Sequence, residues 1–291
     1  MKHFKDRVAF VTGGASGIGH GLTYTFLKLG MKVAVIDFNE AYLEDARREF
    51  SGEAVHFIKA DVGDRAQVRS AAEETSRHFG RIHVLCNNAG VGGHGDPADP
   101  DFDAWDRTLR INFGGVVNGT KIIAPMILSH GEGGHIVNTV SMSGIIPLAL
   151  PGLGAYMTSK FAVRGFTESL RLQLAPHGIG VSGVYPGGVR TRIMDVIEDG
   201  TAGDAAQRTA LLEMRASFMD PVELGAMVVE GIRNNTPYIL THAEFRDEVR
   251  EIHAAIEAAF PRNQPVSAGR KAFEDNRRAI AMRLSALAVK D

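Results

Sequence analysis

Tyr156 and Lys160 are the residues whose types and spacing most directly suggest chemistry. They lie four positions apart, so on a helix they share one face. A tyrosine has a reference pKa of about 10, and a nearby ammonium group favours the phenolate. Such a group can take a proton from an alcohol or return one to a carbonyl oxygen. We therefore predict Tyr156 as a general acid and base, against the alternative of a half-buried helix aromatic.

A glycine-rich turn lies near the start of the chain, between an apolar run and a helix-length segment. It reads Thr12-Gly13-Gly14-Ala15-Ser16-Gly17-Ile18-Gly19, with the spacing G-x-x-x-G-x-G. Glycines allow a tight turn and let a pyrophosphate approach the backbone, where N–H groups and the helix dipole face the anion. The turn therefore predicts a dinucleotide site, and its alternative is a plain connection between strand and helix.

Asp37 ends the second apolar run, at the distance beyond the glycines where a ribose-binding carboxylate is expected. Its charge would repel a 2′-phosphate, and neither Ala15 nor Phe38 offers a compensating positive charge. Asp37 therefore favours NAD over NADP. The alternative is a solvated carboxylate, or a cap of the helix that begins at Glu40.

Seven apolar, β-rich runs alternate with helix-length segments. The predicted strands are Val8–Thr12, Lys32–Ile36, Val55–Ile58, Ile82–Cys86, His135–Val140, Gly180–Tyr185 and Tyr238–Thr241. The predicted helices between them are Gly17–Leu29, Glu40–Phe50, Arg65–Phe79, Asp103–Ser129, Gly154–Ala175 and Pro221–Asn234. Nearly continuous apolar strands indicate a sheet covered on both faces. The pattern predicts an α/β Rossmann-type fold, a doubly wound seven-stranded parallel sheet flanked by helices.

We expect one Rossmann-fold domain over residues 1–242, in which residues 186–220 form a substrate-binding loop with a short helix near Ala205–Ser217. Residues 243–291 form a helical extension of the same domain, with helices over Glu244–Phe260 and Lys271–Val289. This extension packs on its own domain or on a neighbouring subunit. The alternative is a cover for the active site.

The composition of the chain argues against several classes of binding partner and cellular location. The 291 residues carry 32 Lys and Arg against 34 Asp and Glu, for a net charge of −2, so nucleic acid is not expected as a partner. A single cysteine, Cys86, forms no intrachain disulfide. No run of about 18 apolar residues predicts a transmembrane helix. We expect a cytoplasmic protein without membrane contact and, because the histidines form no metal-binding motif, without a metal.

Several motifs, in their order along residues 6–241, resemble those of the short-chain dehydrogenase/reductase family. The glycine turn resembles its cofactor turn, and Tyr156-Met157-Thr158-Ser159-Lys160 resembles its Tyr-x-x-x-Lys. The other similar segments are Asp61-Val62, Asn87-Asn88-Ala89-Gly90, Asn112 in the long helix, and Pro186-Gly187-Gly188-Val189-Arg190-Thr191. A single motif of this kind is weak evidence for the resemblance, whereas the ordered set is specific to the family.

The resemblance implies roles for these residues. The cofactor would contact Gly13, Ser16, Gly17, Ile18, Gly19, Asp37, Asp61, Val62, Asn88, Ala89, Gly90, Tyr156, Lys160, Pro186, Gly187, Val189 and Thr191. Lys160 would bind the nicotinamide ribose, and Asn112 would hold a water that links Lys160 to solvent. Thr191 and the Val189 backbone would hold the carboxamide.

The resemblance leaves two candidates for a catalytic serine. Ser141 follows a strand and stands in Ser-x-x-Gly with Gly144, which is the family's usual setting. Ser143 lies at the commoner spacing before Tyr156. Because strand ends are fixed and loops absorb insertions, we choose Ser141 and keep Ser143 as the alternative. The loop Ile145–Gly154 then becomes a substrate wall.

The resulting prediction is an NAD-dependent dehydrogenase or reductase acting on a secondary alcohol or its ketone. The apolar loop residues 145–150 and Met194 suggest a hydrophobic, aromatic or alicyclic substrate, unless they pack on the protein itself. Alternatives are a sterol, a sugar alcohol, a lignin-type aryl-ether alcohol, or a dinucleotide-binding regulator without turnover. The resemblance also implies a homotetramer, or a homodimer, assembled through the helices Asp103–Ser129 and Gly154–Ala175.

Overall fold

Seven parallel strands form one sheet in the order β3-β2-β1-β4-β5-β6-β7. A computed structural model describes residues 1–92, 95–98, 100–148, 152–191 and 213–287 of the chain. The strands are β1 Val8–Thr12, β2 Lys32–Asp37, β3 Val55–Lys59, β4 Val84–Asn87, β5 Gly134–Thr139, β6 Ile179–Tyr185 and β7 Tyr238–Leu240. The Rossmann-type sheet predicted from the alternation is confirmed.

The helices follow the strands in the predicted alternation. In the described part of the chain they are α1 Gly17–Lys28, α2 Glu40–Glu49, α3 Arg65–Phe79, α4 Phe102–Leu109, α5 Gly115–His130, α6 Gly154–Leu174, α7 Pro221–Arg233, α8 Arg246–Ala258 and α9 Ala268–Ser285. Asp220 caps α7 as expected, because its side chain accepts the Val222 N–H at 2.8 Å. Of the short helix expected near Ala205–Ser217, residues 205–212 lie outside the described residues.

Two helical layers enclose the sheet. On one face α1, α2 and α7 contribute Leu22, Leu43 and Leu224 to a buried cluster. On the other face α3, α5 and α6 contribute Ala71, Ile123 and Leu170. This double cover explains the nearly continuous apolar strands.

The helix predicted over Asp103–Ser129 is one continuous helical segment that contains a π-helical turn. Arg110–Gly114 form this turn between α4 and α5. A π turn inserts one residue into the helix, and the 3.6-residue pattern of the sequence does not reveal so small a change. The turn is relevant to function because Asn112 lies inside it, 1% exposed.

The same segment, Phe102–His130, is long and apolar enough to cross a membrane by length and composition. Half of its most apolar window is buried inside the fold, where Ile123 and Ile127 pack in the core. The helix therefore has the character of a core helix, which passes the same length and composition test. The absence of a membrane partner stays a prediction.

Acid is expected to destabilise the fold through His135 in β5. The ring is fully buried, its Nε2 lies 2.8 Å from Ser182 Oγ, and burial lowers the pKa to about 3. The unfolded chain binds this proton with a pKa of about 6.5, so the stability lost on acidification accumulates below that pH. Between pH 7 and pH 5 the loss is about 2 kcal/mol in the free energy of unfolding.

The measurement is urea unfolding of the wild type and His135→Gln at pH 7 and pH 5. Glutamine keeps a donor for Ser182 but takes up no proton. The wild type should lose about 2 kcal/mol more than the variant on acidification. Burial also lowers the pKa of His83, so both proteins retain some acid sensitivity. Equal losses in the two proteins would contradict the assignment to His135.

Candidate functional site

The candidate site lies at the carboxyl ends of the strands, where the strand order reverses between β1 and β4. The glycine turn follows β1, Asn88 follows β4, Ser141 follows β5 and Pro186 follows β6. In parallel sheets all these segments leave the same edge, and the reversal opens a crevice between them. Four motifs that are far apart in the sequence therefore meet at one place.

Ser141 lies against Tyr156, and hydrogen bonding from its hydroxyl lowers the pKa of the phenol. The Ser141 Oγ also accepts the backbone N–H of Ser143 at 3.1 Å. Ser143 itself is 2% exposed, and its backbone is what faces Ser141. Of the two serines considered from the sequence, the structure thus brings Ser141 to the phenol.

The backbone of Ser141 lies in a region that is nearly restricted to glycine, with φ 135° and ψ 158°. A non-glycine residue held there costs about 1–3 kcal/mol. The residue is the N-cap of a short 3₁₀ turn, Met142–Gly144, and its side chain accepts the Ser143 N–H. Strain of this kind is typical of residues whose position serves a site.

Ser141→Gly is therefore expected to be more stable than Ser141→Ala by about 1 kcal/mol, because glycine relieves the strain and its greater unfolded-state entropy offsets only part of the gain. Both variants lack the hydroxyl, so both should lose turnover. Thermal unfolding of the pair, side by side, measures the difference. An alanine variant as stable as the glycine variant would show that the backbone at Ser141 is not strained.

Lys160 is buried beside the same phenol. Its Nζ donates to the Thr139 carbonyl at 3.1 Å and lies 5.4 Å from the centroid of the Tyr156 ring. Burial lowers the pKa of Lys160 to about 8. Burial also raises the pKa of Tyr156, while the hydrogen bond from Ser141 lowers it. The sequence argument did not weigh burial; in this structure burial raises the pKa of the phenol, so Tyr156 is a proton donor.

Asn112 connects the π turn to the segment after β4. Its Oδ1 accepts the Val91 N–H at 2.8 Å, and its Nδ2 donates to the Val91 carbonyl at 3.0 Å and to Ser159 Oγ at 3.1 Å. A Cβ at Gly90 would lie 3.2 Å from Asn112 Oδ1 and 3.7 Å from Lys160 Nζ. Asn112 and Lys160 therefore both lie beside the backbone of Gly90. This proximity is required if a water held by Asn112 is to link Lys160 to solvent, as predicted.

The glycine turn packs so closely that no side chain fits at any of its four glycines. A Cβ at Gly13 would lie 2.9 Å from Ala89 Cα, and one at Gly17 would lie 2.9 Å from Thr191 Cβ. A Cβ at Gly19 would lie 1.9 Å from the Gly13 carbonyl oxygen. Gly13 and Gly17 also have positive φ angles, 62° and 52°. The turn is a backbone cradle that fits a dinucleotide phosphate, and Thr191 closes one side of it.

Ser16 is the N-cap of α1, with an extended backbone and no capping hydrogen bond from its side chain. Ile18, the second residue of the helix, packs against the core cluster. The first N–H groups of a helix need an acceptor, and here no side chain of the cap supplies one. The start of α1 is therefore suited to bind an anion.

Asp37 is the last residue of β2 and is 9% exposed. Its carboxylate accepts the N–H of Ala15 at 3.3 Å and the N–H of Asn39 at 3.0 Å. Phe38, beside it, is 69% exposed. The carboxylate is thus held against the glycine turn, in the position that the sequence predicts for a ribose contact.

Thr12 ties the turn to the segment after β4, a role that the sequence analysis missed. Its Oγ1 accepts the N–H of Asn88 at 2.9 Å and the N–H of Ala89 at 3.1 Å, and donates to the Cys86 carbonyl at 3.2 Å. Asn88 Nδ2 donates to the Thr12 carbonyl at 3.1 Å, and Thr139 Oγ1 donates to Asn88 Oδ1 at 3.1 Å. The feature of the sequence that could have indicated this role is a hydroxyl-bearing residue at the end of β1.

Asp61 and Val62 lie at the outer end of the crevice. Asp61 accepts a hydrogen bond from Arg110 at 2.8 Å and the Gly63 N–H at 2.8 Å. Val62 is 7% exposed and lies under α5, where a Cβ at Gly115 would come within 2.7 Å of it. Both carboxylate oxygens of Asp61 already have partners, so an adenine there would share Asp61 with Arg110.

The apolar loop after Ser141 differs from the expected substrate wall. Ile145 and Ile146 are 8% and 0% exposed and pack in a core cluster with Val163 and Tyr185. These two side chains stabilise the fold and do not line a cavity. Residues 149–151, and Met194 in the predicted substrate loop, lie outside the described residues.

A family model for short chain dehydrogenase matches residues 7–202 of the chain. The chain belongs to the short-chain dehydrogenase family. Its fold and the ordered motifs of the crevice are those of this family, whose members are oxidoreductases that bind a nicotinamide dinucleotide.

Three similar proteins illustrate the relationship. The C alpha-dehydrogenase of Sphingobium sp. strain SYK-6 is 30% identical over 94% of this chain and 93% of its own length. A short-chain dehydrogenase structure from Novosphingobium aromaticivorans has 35% identity and a TM-score of 0.85, covering 98% of this chain and 100% of that one. A Burkholderia phymatum structure in complex with NAD has 31% identity and a TM-score of 0.79, covering 92% and 100%.

His242 lies beyond the part of the chain that the short-chain dehydrogenase model matches, and the sequence analysis missed it. Its Nδ1 accepts the Gly187 N–H at 3.1 Å, and its Nε2 lies 3.1 Å from the Gly188 carbonyl. Pro186 is held from the other side, because its carbonyl accepts the Met142 N–H at 2.9 Å. The segment that precedes Val189 and Thr191 is thus fixed from both sides.

The structure also brings together His83, His130 and Glu132 at the opposite edge of the sheet, a set that could hold a metal ion. His83 Nδ1 accepts the Val8 N–H, so its Nε2 carries the proton and donates to Glu132 at 3.0 Å. His130 Nδ1 accepts the Glu132 N–H, and its Nε2 lies 2.9 Å from the Ile82 carbonyl. All four ring nitrogens are used in hydrogen bonds, which suits a structural cluster. The expected absence of a metal stays a prediction.

Proposed function

We propose that this member of the short-chain dehydrogenase family interconverts a secondary alcohol and its ketone with NAD as the cofactor. The observation that carries the proposal is the hydrogen-bonded pair Ser141–Tyr156 with the Lys160 ammonium beside the phenol ring. Bound NAD would supply the hydride acceptor, and NADH the hydride donor. A regulator that only binds a dinucleotide has no need of these three groups together.

In ketone reduction the Tyr156 phenol gives its proton to the carbonyl oxygen, and in alcohol oxidation the phenolate takes the hydroxyl proton. Ser141 hydrogen-bonds the same substrate oxygen and stabilises the charge that develops there. Lys160 holds the cofactor ribose and, through its charge, favours the phenolate when oxidation requires it. Asn112 bounds the backbone at Gly90, next to Lys160, where a proton relay to solvent would pass.

The cofactor residues are proposed on the geometry of the crevice. The turn at Gly13 and Gly17 packs against Ala89 and Thr191 so closely that a Cβ would clash, and the start of α1 offers N–H groups to the phosphates. Asp37, held at the glycine turn, would bind the ribose hydroxyls and repel a 2′-phosphate. The NAD complex of the Burkholderia phymatum relative supports the same choice of cofactor.

For the substrate we propose a hydrophobic secondary alcohol. Because Ile145 and Ile146 are buried in the core, the apolar loop no longer supports this choice. The second, narrower candidate is the lignin-type aryl-ether alcohol among the alternatives from the sequence, and the relative named C alpha-dehydrogenase supports a dehydrogenase reaction. We also propose a cytoplasmic protein that acts on a small molecule, with no nucleic acid partner, in keeping with its net charge of −2.

The test is calorimetric binding of NADH and NADPH to the wild type and to Asp37→Ala. The wild type should prefer NADH at least tenfold, because a charge-assisted hydrogen bond contributes about 1.5–3 kcal/mol. Asp37→Ala should lose most of that preference. Glu40→Ala, which removes an exposed carboxylate nearby, is the matched control and should keep it. A preference for NADPH in the wild type would refute the assignment of NAD.

Turnover is then measured with NAD and a panel of aliphatic, alicyclic and aryl secondary alcohols. Oxidation of at least one class supports the proposed reaction. Normal binding of NADH with no oxidation of any alcohol and no reduction of the matching ketones would favour the regulator. The two measurements thus separate the cofactor assignment from the reaction.

A further inference from the structure

A long stretch of the C-terminal extension is exposed along its whole length. Every residue from His253 to Ile280 is exposed, a stretch we call the arm. The arm contains the end of α8, the connection Ala259–Ser267 and most of α9. A helix that buries no face is marginally stable in water, because helices in proteins are stabilised chiefly by packing. The arm therefore lacks the packing partner that a stable helix requires.

The exposed surface of the arm is rich in large apolar side chains. Five of the fifteen exposed large apolar side chains among the described residues lie in it, and these are Ile256, Phe260, Val266, Phe273 and Ile280. Phe260 and Phe273 are 70% and 68% exposed. Apolar groups concentrated in this way indicate an interaction surface.

The apolar stripe of α8 begins on the body of the protein and continues past its edge. Val249 and Ile252 pack against the cluster that contains Tyr185. Ile256 and Phe260 follow at the same helical spacing, three to four residues apart, and are exposed. The apolar face of α8 thus extends past the residues that pack on the rest of the protein.

The stripe of α9 does the same from its other end. Leu284 and Leu287 lie in a cleft with Arg171 and Ala175 at the end of α6. Ile280 and Phe273 continue that stripe away from α6 and are exposed. The arm is therefore anchored at both ends and uncovered between them.

Charge identifies the surface that would cover the arm. α8 carries four carboxylates and two arginines, whereas α9 carries five cationic side chains and two carboxylates. Among the described residues, Glu248, Glu251 and Glu257 on α8 form no ion pair. Arg278 and Arg283 on α9 form none either. The acidic and basic surfaces that complement each other thus belong to the same chain.

We propose that two copies of this chain exchange their arms, so that α9 of each copy packs on α8 of the other. In such an interface Phe273 and Ile280 cover Ile256 and Phe260 of the second copy. A two-fold axis brings the basic surface of each copy to the acidic surface of the other, which is how a self-complementary dimer forms. The partner is a second copy because α8 and α9 of one chain carry both complementary surfaces. This inference does not depend on the proposed reaction.

The first test is the molar mass in solution, by sedimentation or light scattering of the full chain. The double variant Phe273→Asp/Ile280→Asp should show a molar mass at least twofold lower than the wild type. Phe102→Asp, 76% exposed but outside the arm, is the matched control and should leave the mass unchanged. NADH binding per subunit should be equal in all three proteins, which shows that each is folded. An unchanged mass in the double variant, or a monomeric wild type, would overturn the proposal.

The second test asks whether the two charged surfaces meet. Arg278→Glu/Arg283→Glu should weaken self-association at least tenfold, and adding Glu251→Arg/Glu257→Arg to the same chain should restore it. Failure of the second pair to restore the mass would overturn the pairing. Loss of turnover with no change of mass would instead indicate that the arm covers its own active site. Binding to anionic lipid vesicles with no change of mass would indicate a membrane, and either result refutes arm exchange.

Discussion

Tyr156→Phe is expected to lower kcat by about a hundredfold to ten-thousandfold while changing the dissociation constant of NADH less than twofold. General acid–base catalysis contributes about 10²–10⁴-fold, and in the proposed reaction the hydroxyl of Tyr156 exchanges the proton with the substrate. Phenylalanine fills the same space, so the ring still packs beside Lys160. The variant loses one hydrogen bond to Ser141, which costs about 1 kcal/mol and leaves the protein folded.

The measurement is steady-state turnover with the best alcohol or ketone found, together with calorimetric binding of NADH. Tyr238→Phe is the matched control, since that hydroxyl also forms a side-chain hydrogen bond, to Glu168 at 3.1 Å, and lies away from the crevice. The control should keep its turnover. Turnover in Tyr156→Phe within tenfold of the wild type would show that another group carries the proton.

Lys160→Met is expected to weaken NADH binding about tenfold or more, because a hydrogen bond from a charged group contributes about 1.5–3 kcal/mol. The same substitution should also remove the pH dependence of the affinity for NADH. Burial lowers the pKa of Lys160 to about 8, so wild-type affinity for NADH should fall as the pH rises above about 8. The methionine variant has no charge to lose, so its affinity should not change over that range.

Calorimetry with NADH between pH 7 and pH 10 measures both effects. Lys160→Arg is the control: arginine keeps its charge over this range, so any affinity it retains should not fall above pH 8. Identical pH profiles for the wild type and Lys160→Met would show that another group titrates.

Whereas Lys160→Met should weaken NADH binding, it should raise the free energy of unfolding. The folded pKa of Lys160, about 8, lies below its ordinary value of 10.5, so burial of the charge costs about 3 kcal/mol below pH 8. Lys160→Met should therefore be more stable at pH 7, by up to that amount. Because the unfolded chain binds the extra proton between these two pKa values, wild-type stability rises with pH and the advantage of the variant disappears above pH 10. Urea unfolding of both proteins at pH 7 and pH 10 tests this.

The strands, the helices and the glycine turn were predictable because they depend on neighbouring residues. Apolar runs, capping residues such as Asp220, and glycines with positive φ such as Gly13 are visible locally. The boundaries shifted by a few residues: α8 begins at Arg246 and α9 at Ala268, where we expected Glu244 and Lys271. Helix ends depend on caps and on packing, which short-range patterns describe less well.

The parts of the site that the sequence missed depend on contacts across long separations. Thr12 holds Asn88, and His242 holds Gly187, 55 residues away in the chain. The π turn at Asn112 is an insertion of one residue within a helix whose pattern looks regular. The contacts of Thr12 and His242 arise where two separate segments meet, and the π turn changes the helix too little to alter its apolar pattern.

By itself, the sequence determined the Rossmann-type alternation, the family and the Tyr156–Lys160 pair, because periodicity, glycine spacing and i,i+4 positions are local properties of the chain. Only the tertiary structure decided that Ser141 rather than Ser143 meets the phenol, and that Ile145 and Ile146 lie in the core. It also decided that burial raises the pKa of Tyr156, against the hydrogen bond from Ser141, which lowers it. Distances and solvent exclusion depend on how distant segments pack, and no local pattern encodes them.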